Sequence, residues 1–271
     1  MTGRRSPLRA AWDLVLVVVG FAWMGVVCVS WALVSILLNP FLSEARGRRV
    51  GRWGAQWSFR SHLALMEWLG AFRLDLHELD QLRDAGPLVI APNHPGLLDA
   101  VLVISRVPNG VCVMKGSLLN SFLFGHTSRL ARYVPNDTLL KLASRASDEL
   151  REGGQLLLFP EGTRSTAQPI GPITDAVGAI ARRARVPVQT VLIEADACFL
   201  GKGWSLTRIP PLPITYRVRL GRRFDPPQDV RAFTAELDRY FRRELSAAEA
   251  APVAVPRPLA PAVTEGNRIR G

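Results

Sequence analysis

The longest apolar run in the chain lies near its start. From Leu14 to Leu38 no residue is charged, and Val, Leu, Ile, Phe, Trp and Ala fill most of the 25 positions. At about 1.5 Å per residue such a helix is roughly 37 Å long, enough to cross a ~30 Å hydrocarbon layer with some tilt. A secretory signal peptide would have a shorter apolar region and a small-residue cleavage site, and no good cleavage site is present. A core helix is rarely apolar on every side over such a length. The run therefore predicts a membrane-anchoring helix over residues 1–42, either spanning the bilayer or bent within one leaflet, with Asn39-Pro40 ending it.

The stretch that follows, RRVGRWGAQWSFRSHLALMEWLGAF, mixes arginines with aromatic residues. Trp53 and Trp57 are four positions apart and share a helix face, with Arg49, Arg52 and Arg60 nearby. Two readings carry equal weight for residues 43–85: an amphipathic helical segment lying under lipid headgroups, or a core helix with a solvated basic side.

From residue 86 the pattern changes to short apolar runs alternating with segments of helical period. PLVIAPN, GVCVMK, QLLLFPEG and VPVQTVLIEA read as buried strands, and ITYRVRLGRRF as a later, more exposed one. LLDAVLVISRV, TLLKLASRASDELREGG, ITDAVGAIARRAR and DVRAFTAELDRYFRREL read as helices. The alternation predicts an α/β fold over residues 86–246, a mostly parallel sheet covered by helices, preceded by the N-terminal membrane-anchoring helix. Residues 247–271 are rich in Ala and Pro without periodicity and predict a disordered tail.

Charge sharpens this picture. Against 23 Asp+Glu stand 34 Lys+Arg, a formal net charge of +11 that favours an anionic partner. Nucleic acid and lipid headgroups both qualify. The apolar segment selects lipid, and no nucleic-acid-binding module is recognisable. Arg4, Arg5 and Arg9 precede the apolar run, and Arg46, Arg48, Arg49 and Arg52 follow it. The longer downstream cluster slightly favours a main domain on the cytoplasmic side, which makes the expected location the inner membrane with the catalytic domain facing the cytoplasm. Cys28, Cys112 and Cys198 are widely spaced and odd in number, which fits small buried residues in a reducing compartment, with no metal site.

Two strand-end turns concentrate the chemistry. In APNHPGLLDAV, Asn93, His94, Pro95 and Gly96 follow a buried strand, and Asp99 falls in the first turn of the next helix. On a straight helix His94 and Asp99 would be about 140° apart. With the histidine on the turn and the aspartate in the first helical turn, the two can converge. An aspartate accepting from one imidazole nitrogen leaves the other free to take a proton from a hydroxyl. Taken alone, the same residues fit equally a histidine bonded to backbone and an aspartate capping a helix. The second turn, in LLLFPEGTRS, supplies Glu161, Gly162, Thr163 and Arg164. Gly162 permits close approach of a ligand to backbone N–H groups, and Arg164 offers a planar fork for phosphate or carboxylate. Glu161 can bind a substrate hydroxyl or position a cation.

NHPGLLD followed by FPEGTRS resembles the paired blocks of the glycerolipid acyltransferases, the lysophosphatidate acyltransferase-like group, over roughly residues 86 to 225. Val113 to Gly125, with Lys115 near its start, looks like that family's intermediate block, and the strand opening at Val186-Pro187 like its last one. The resemblance implies the glycerolipid acyltransferase fold, and transfer of a fatty acyl group from acyl-CoA or acyl-carrier protein to a hydroxyl of a lyso-lipid at the bilayer. It implies His94 as general base and Asp99 as its orienting partner. Lys115, Glu161, Gly162, Thr163 and Arg164 would serve substrate, with no bound cofactor or metal.

The chain also departs from the family pattern. Where phosphate-acceptor members carry an arginine at the end of the intermediate block, this sequence has Asn136 and Asp137, with Arg129 and Arg132 upstream, in a different register, as candidate substitutes. The last block has Thr190 in place of a second proline, and no Phe-Lys pair follows FPEGTRS. These changes point to an acceptor lacking a terminal phosphate, such as an ornithine-type lyso-lipid or a polyene-like lipid. The nearest rival function is a thioesterase or hydrolase using the same His-Asp pair, although no G-x-S-x-G nucleophile turn is present.

Overall fold

The computed structural model describes residues 6–119, 121–165, 169–197, 199–205 and 208–250. Two long helices come first, α1 (Pro7–Leu38) and α2 (Glu44–Trp68), joined by the short 3-10 turn Asn39–Phe41. Pro7 occupies the first turn of α1, where a missing N–H costs nothing, and the Ser6 hydroxyl accepts from the Arg9 N–H. Gly20 lies against His62 and Met66, while Trp31 lies against Gly54, so the two helices run antiparallel.

Seven strands follow: β1 (Phe72–Asp75), β2 (Leu88–Pro92), β3 (Gly110–Met114), β4 (Val134–Pro135), β5 (Gln155–Leu157), β6 (Val188–Ala195) and β7 (Ile214–Phe224). They form one sheet in the order β1-β7-β6-β2-β5-β3-β4, and every pairing is parallel except β6 with β7. The connecting helices are α3 (Asp99–Ile104), α4 (Gly116–Leu119), α5 (Phe122–Leu130), α6 (Leu139–Arg151), α7 (Ala176–Ala184) and α8 (Val230–Ala250).

Alternation along the central strands sorts the core into two layers. Leu88, Ile90, Leu157 and Ile193 point to one face, where they meet Leu16 and Val17 of α1, Leu63 and Met66 of α2, and Leu102 of α3. Val89, Ala91, Leu156 and Leu158 point to the other, against Leu142 of α6, Ile180 of α7 and Phe241 of α8. The expected α/β sheet covered by helices is present, and α1 covers one face of it directly.

The sheet differs from expectation at its margins. It begins before residue 86, because β1 falls inside the segment expected to be helical and pairs parallel with β7 at the sheet edge. Its four residues, FRLD, alternate apolar and charged and leave no apolar run to detect. The two-residue β4 is likewise too short to leave a pattern. Helix α8 runs to Ala250, past the expected boundary at 246, and the remainder of the expected tail, residues 251–271, lies outside the described residues. Cys198 lies outside them as well.

Helix α2 resolves its two readings residue by residue. Trp53, Trp57 and Trp68 are exposed along it. Arg52, expected beside headgroups, is buried within the fold instead, at 2 % exposure. Its Nε donates to the Ala131 carbonyl at 3.2 Å, its Nη1 to Asn109 Oδ1 at 2.6 Å, and its Nη2 to Glu149 of α6. Arg48 pairs with the same Glu149 and with Glu152. At the start of α1, Arg9 pairs with the buried Asp13 and donates to the Leu212 carbonyl at 3.0 Å, docking the helix onto the domain.

Candidate active site

Strands β2 and β5 are neighbours in the sheet, so the loops leaving their carboxyl ends lie side by side, where open α/β sheets build their sites. Asn93 anchors the first loop. Its buried amide donates to the Ile193 carbonyl at 2.9 Å and accepts from the Ile193 N–H at 2.7 Å, extending the sheet to the last residue before the histidine. The chain then turns through Pro95-Gly96. A Cβ on Gly96 would stand 2.8 Å from the Phe199 carbonyl oxygen, so only glycine fits there.

His94 precedes α3 and Asp99 is its first residue, and the turn brings the two side chains together. His94 Nδ1 lies 2.8 Å from Asp99 Oδ2. The same oxygen accepts from the Gly96 N–H at 2.7 Å. Asp99 is 1 % exposed, and burial pushes its carboxyl above the usual carboxylate range, while the hydrogen bonds from His94 and Gly96 oppose that shift. The imidazole stacks on the Phe159 ring with centroids 3.6 Å apart and planes 13° from parallel. Phe159 thus fixes the ring plane, a role its place in the second motif did not disclose.

The β5 loop is tied to the β2 loop through Glu161, which occupies a different position from the one expected. Glu161 is buried, and its Oε1 accepts from the His94 N–H at 3.1 Å and from the Ser165 hydroxyl at 2.7 Å. Its Oε2 accepts from the Gly171 N–H at 2.8 Å. The Ser165 N–H returns a bond to the His94 carbonyl at 2.8 Å. With these partners taken, the carboxylate faces the fold rather than a ligand. Gly162 has φ +67, which glycine adopts without strain. Arg164 donates from Nη1 to the carbonyls of Leu200 at 2.8 Å and Gly201 at 3.0 Å.

His94, Gly162, Thr163, Arg164 and, from beyond β3, Lys115 all line one cavity of about 590 Å³, the size of a small-molecule site. Most of its wall is apolar, and much of it comes from α1 and α2, including Val17, Phe21, Met24, Phe59 and Met66. Sequence reasoning did not foresee this use of the helical hairpin, since an apolar helix carries no mark of what it will pack against. Asn136 lines the same cavity, whereas Arg129 and Arg132 line a different one between α2, α5 and α6. Arg132 is paired there with Glu44, and Arg129 donates to the Leu119 carbonyl at 3.3 Å. Neither arginine stands in for the one missing beside Asn136.

A mostly parallel sheet, adjacent strand-end loops carrying His94, Asp99 and Glu161, and an apolar cavity opening on the histidine together define an α/β domain of the glycerolipid acyltransferase type. Comparison with known proteins gives the same result. The acyltransferase family model matches residues 73–194. It is 26 % identical over 156 residues to a putative 1-acyl-sn-glycerol-3-phosphate acyltransferase of Caenorhabditis elegans, covering 55 % of each chain. To a 1-acyl-sn-glycerol-3-phosphate acyltransferase of Cocos nucifera it is 26 % identical over 132 residues, covering 46 % of this chain and 42 % of that one. The chain thus spans about half the length of these relatives. Its fold is similar to the crystal structure of the 1-acyl-sn-glycerophosphate acyltransferase PlsC from Thermotoga maritima, with a TM-score of 0.70 at 17 % identity over 91 % of this chain and 100 % of that one.

Proposed function

We propose that the protein is a membrane-associated O-acyltransferase that moves a fatty acyl group from acyl-CoA or acyl-carrier protein to a hydroxyl of a lyso-lipid. The observation that carries this reading is the 2.8 Å contact between His94 Nδ1 and Asp99 at the wall of an apolar cavity. With Nδ1–H donated to the aspartate, Nε2 takes the proton of the acceptor hydroxyl. The freed oxygen attacks the thioester carbonyl, the C–O bond forms as the C–S bond breaks, and His94 returns the proton to the departing thiolate. Asp99 stabilises the transient imidazolium. Arg164, held by two backbone carbonyls, together with Lys115 and Thr163, contacts the polar parts of donor or acceptor.

Asn136 in the cavity wall, with Arg129 and Arg132 directed elsewhere, supports an acceptor without a terminal phosphate, such as an ornithine-type lyso-lipid or a polyene-like lipid. The names of the relatives favour 1-acyl-glycerol-3-phosphate. The outward face of α1, with Leu14, Val18, Val26 and Leu33 exposed, and the exposed tryptophans of α2 support association with a bilayer. The basic flanks of α1 support a cytoplasmic domain at the inner membrane.

The test is a panel of lyso-lipids in mixed micelles with labelled long-chain acyl-CoA or acyl-carrier protein, with products read by mass spectrometry. Acylation of lysophosphatidate alone would reverse the acceptor assignment, and free acid released equally without any acceptor would make the protein a hydrolase. His94→Ala should lower transfer roughly 10²- to 10⁴-fold with the fold intact. Near-normal turnover in that variant would remove the general base.

A further inference from the structure

A histidine that takes the acceptor's proton becomes a cation, and the surroundings of His94 make that costly. Most of the cavity wall beside it is apolar, and Lys115 and Arg164, which line the same cavity, are both basic. Burial in apolar surroundings and a like charge nearby each disfavour the charged imidazole. Asp99 opposes them at Nδ1, but it is itself buried and held above the usual carboxylate range by that burial. Glu161 meets the residue at its backbone N–H.

Phe159 covers the face of the imidazole, and strand geometry puts it there. Leu157 of β5 points to the side of the sheet covered by α1 and α2, and Phe159, two residues on, points the same way and lines the cavity. The Leu158 N–H donates to the Ile90 carbonyl at 3.0 Å, keeping β5 beside β2 up to this point. The Gly162 N–H donates to the Phe159 carbonyl at 3.0 Å and closes the turn behind the ring. His94 stands two residues past the end of β2 and Phe159 two residues past the end of β5, so the two rings meet across neighbouring strands.

The way they meet is unlike any other ring pair among the described residues. Those pairs are tilted or edge-on, with centroids 5.4–6.4 Å apart. His94 and Phe159 lie face to face, 3.6 Å apart and 13° from parallel. Two neutral aromatic rings avoid a full sandwich and prefer offset or edge-on contact at roughly 4.5–7 Å, because their negative faces repel. A cation over the same negative face is attracted to it.

We propose that Phe159 is an electrostatic partner of the general base: its ring face attracts the imidazolium formed as Nε2 takes the proton more strongly than it attracts the neutral imidazole, and so stabilises the transition state of acyl transfer. The proposal rests on the acyl-transfer reading, in which His94 carries that proton. Asp99 and the ring face then support the cation from two directions and leave Nε2 to the acceptor hydroxyl. An aromatic face does this without a second buried carboxylate, which would carry its own desolvation cost.

Fluorine withdraws charge from the face of a phenyl ring while changing its shape little, so the experiment replaces Phe159 in the full-length protein by mono-, di- and trifluorophenylalanine. Single-turnover rates are measured in mixed micelles with labelled long-chain acyl-CoA and the lyso-lipids of the panel above, alongside the acceptor KM and the melting temperature. The rate should fall with each added fluorine, by about two- to fivefold over the series, while KM and melting temperature stay near those of the parent. Phe159→Leu, which removes the face and the plane together, should fall at least as far, and Phe159→Tyr, which keeps the face, should retain most of the rate. A rate that is constant along the fluorinated series overturns the proposal and leaves Phe159 as a wall that sets the ring plane. A loss that follows KM or melting temperature instead of ring charge overturns it too. Absence of acyl transfer in the parent, or its survival in His94→Ala, removes the acyl-transfer reading and the proposal with it, so the two failures are told apart.

Discussion

Both carboxylate oxygens of Glu161 are engaged inside the fold, by the His94 N–H, the Ser165 hydroxyl and the Gly171 N–H. Glutamine is nearly the same shape but replaces one acceptor oxygen with a donor, leaving a buried N–H facing another N–H, a mismatch of about 1–3 kcal/mol. Glu161→Gln should therefore lower kcat by about tenfold or more while the KM for the acceptor changes little. A selective rise in that KM would restore the carboxylate to acceptor binding. Asp99 makes the complementary case. Because burial raises its carboxyl pKa, the charged form costs the native state free energy relative to the unfolded chain, and that cost is present above the native pKa and fades as pH falls through it. At neutral pH Asp99→Asn should keep a melting temperature at or above that of the parent while losing most acyl transfer, as paired melting and turnover assays would show. His94 and Asp99 were legible in the sequence because a histidine on a strand-end turn and an aspartate at a helix start have few ways to meet. Glu161 was not, because a carboxylate in a motif reads the same whether it faces a ligand or a backbone N–H.

At the scale of elements, α2 was half legible. Its period gave the shared face of Trp53 and Trp57, both of which are exposed. An arginine at helical spacing, however, does not reveal whether it meets water or a glutamate ninety-seven residues away, as Arg52 meets Glu149. Arg52→Ala leaves Glu149 short of its closest partner and the Ala131 carbonyl and Asn109 without their donor. It should destabilise the protein by about 3–5 kcal/mol in denaturant unfolding. A change below about 1 kcal/mol would mean that α2 is not held to the domain through this side chain. Strand β1 was illegible for a different reason: four residues with two charges fit an edge strand, and an edge strand needs no apolar run.

For the molecule as a whole, the order of strands was out of reach of sequence, since pairing depends on contacts between segments far apart in the chain. So was the double duty of α1, which presents apolar residues outward and others into the cavity. Deleting residues 1–42 should therefore abolish acyl transfer even in detergent, where membrane attachment no longer matters, because it removes Val17, Phe21 and Met24 from the cavity wall. Full activity of the truncated protein in micelles would confine α1 to anchoring. The adjacency of β2 and β5 also has a consequence for biosynthesis. His94 and Asp99 are made early, yet Glu161 and Ser165, which hold the histidine's backbone, and Phe159, which stacks on its ring, all lie beyond β5. A nascent chain that stops short of β5 contains the histidine without its geometry, so the site comes into being only when the two loops close over one another, a non-local contact that forms late in folding.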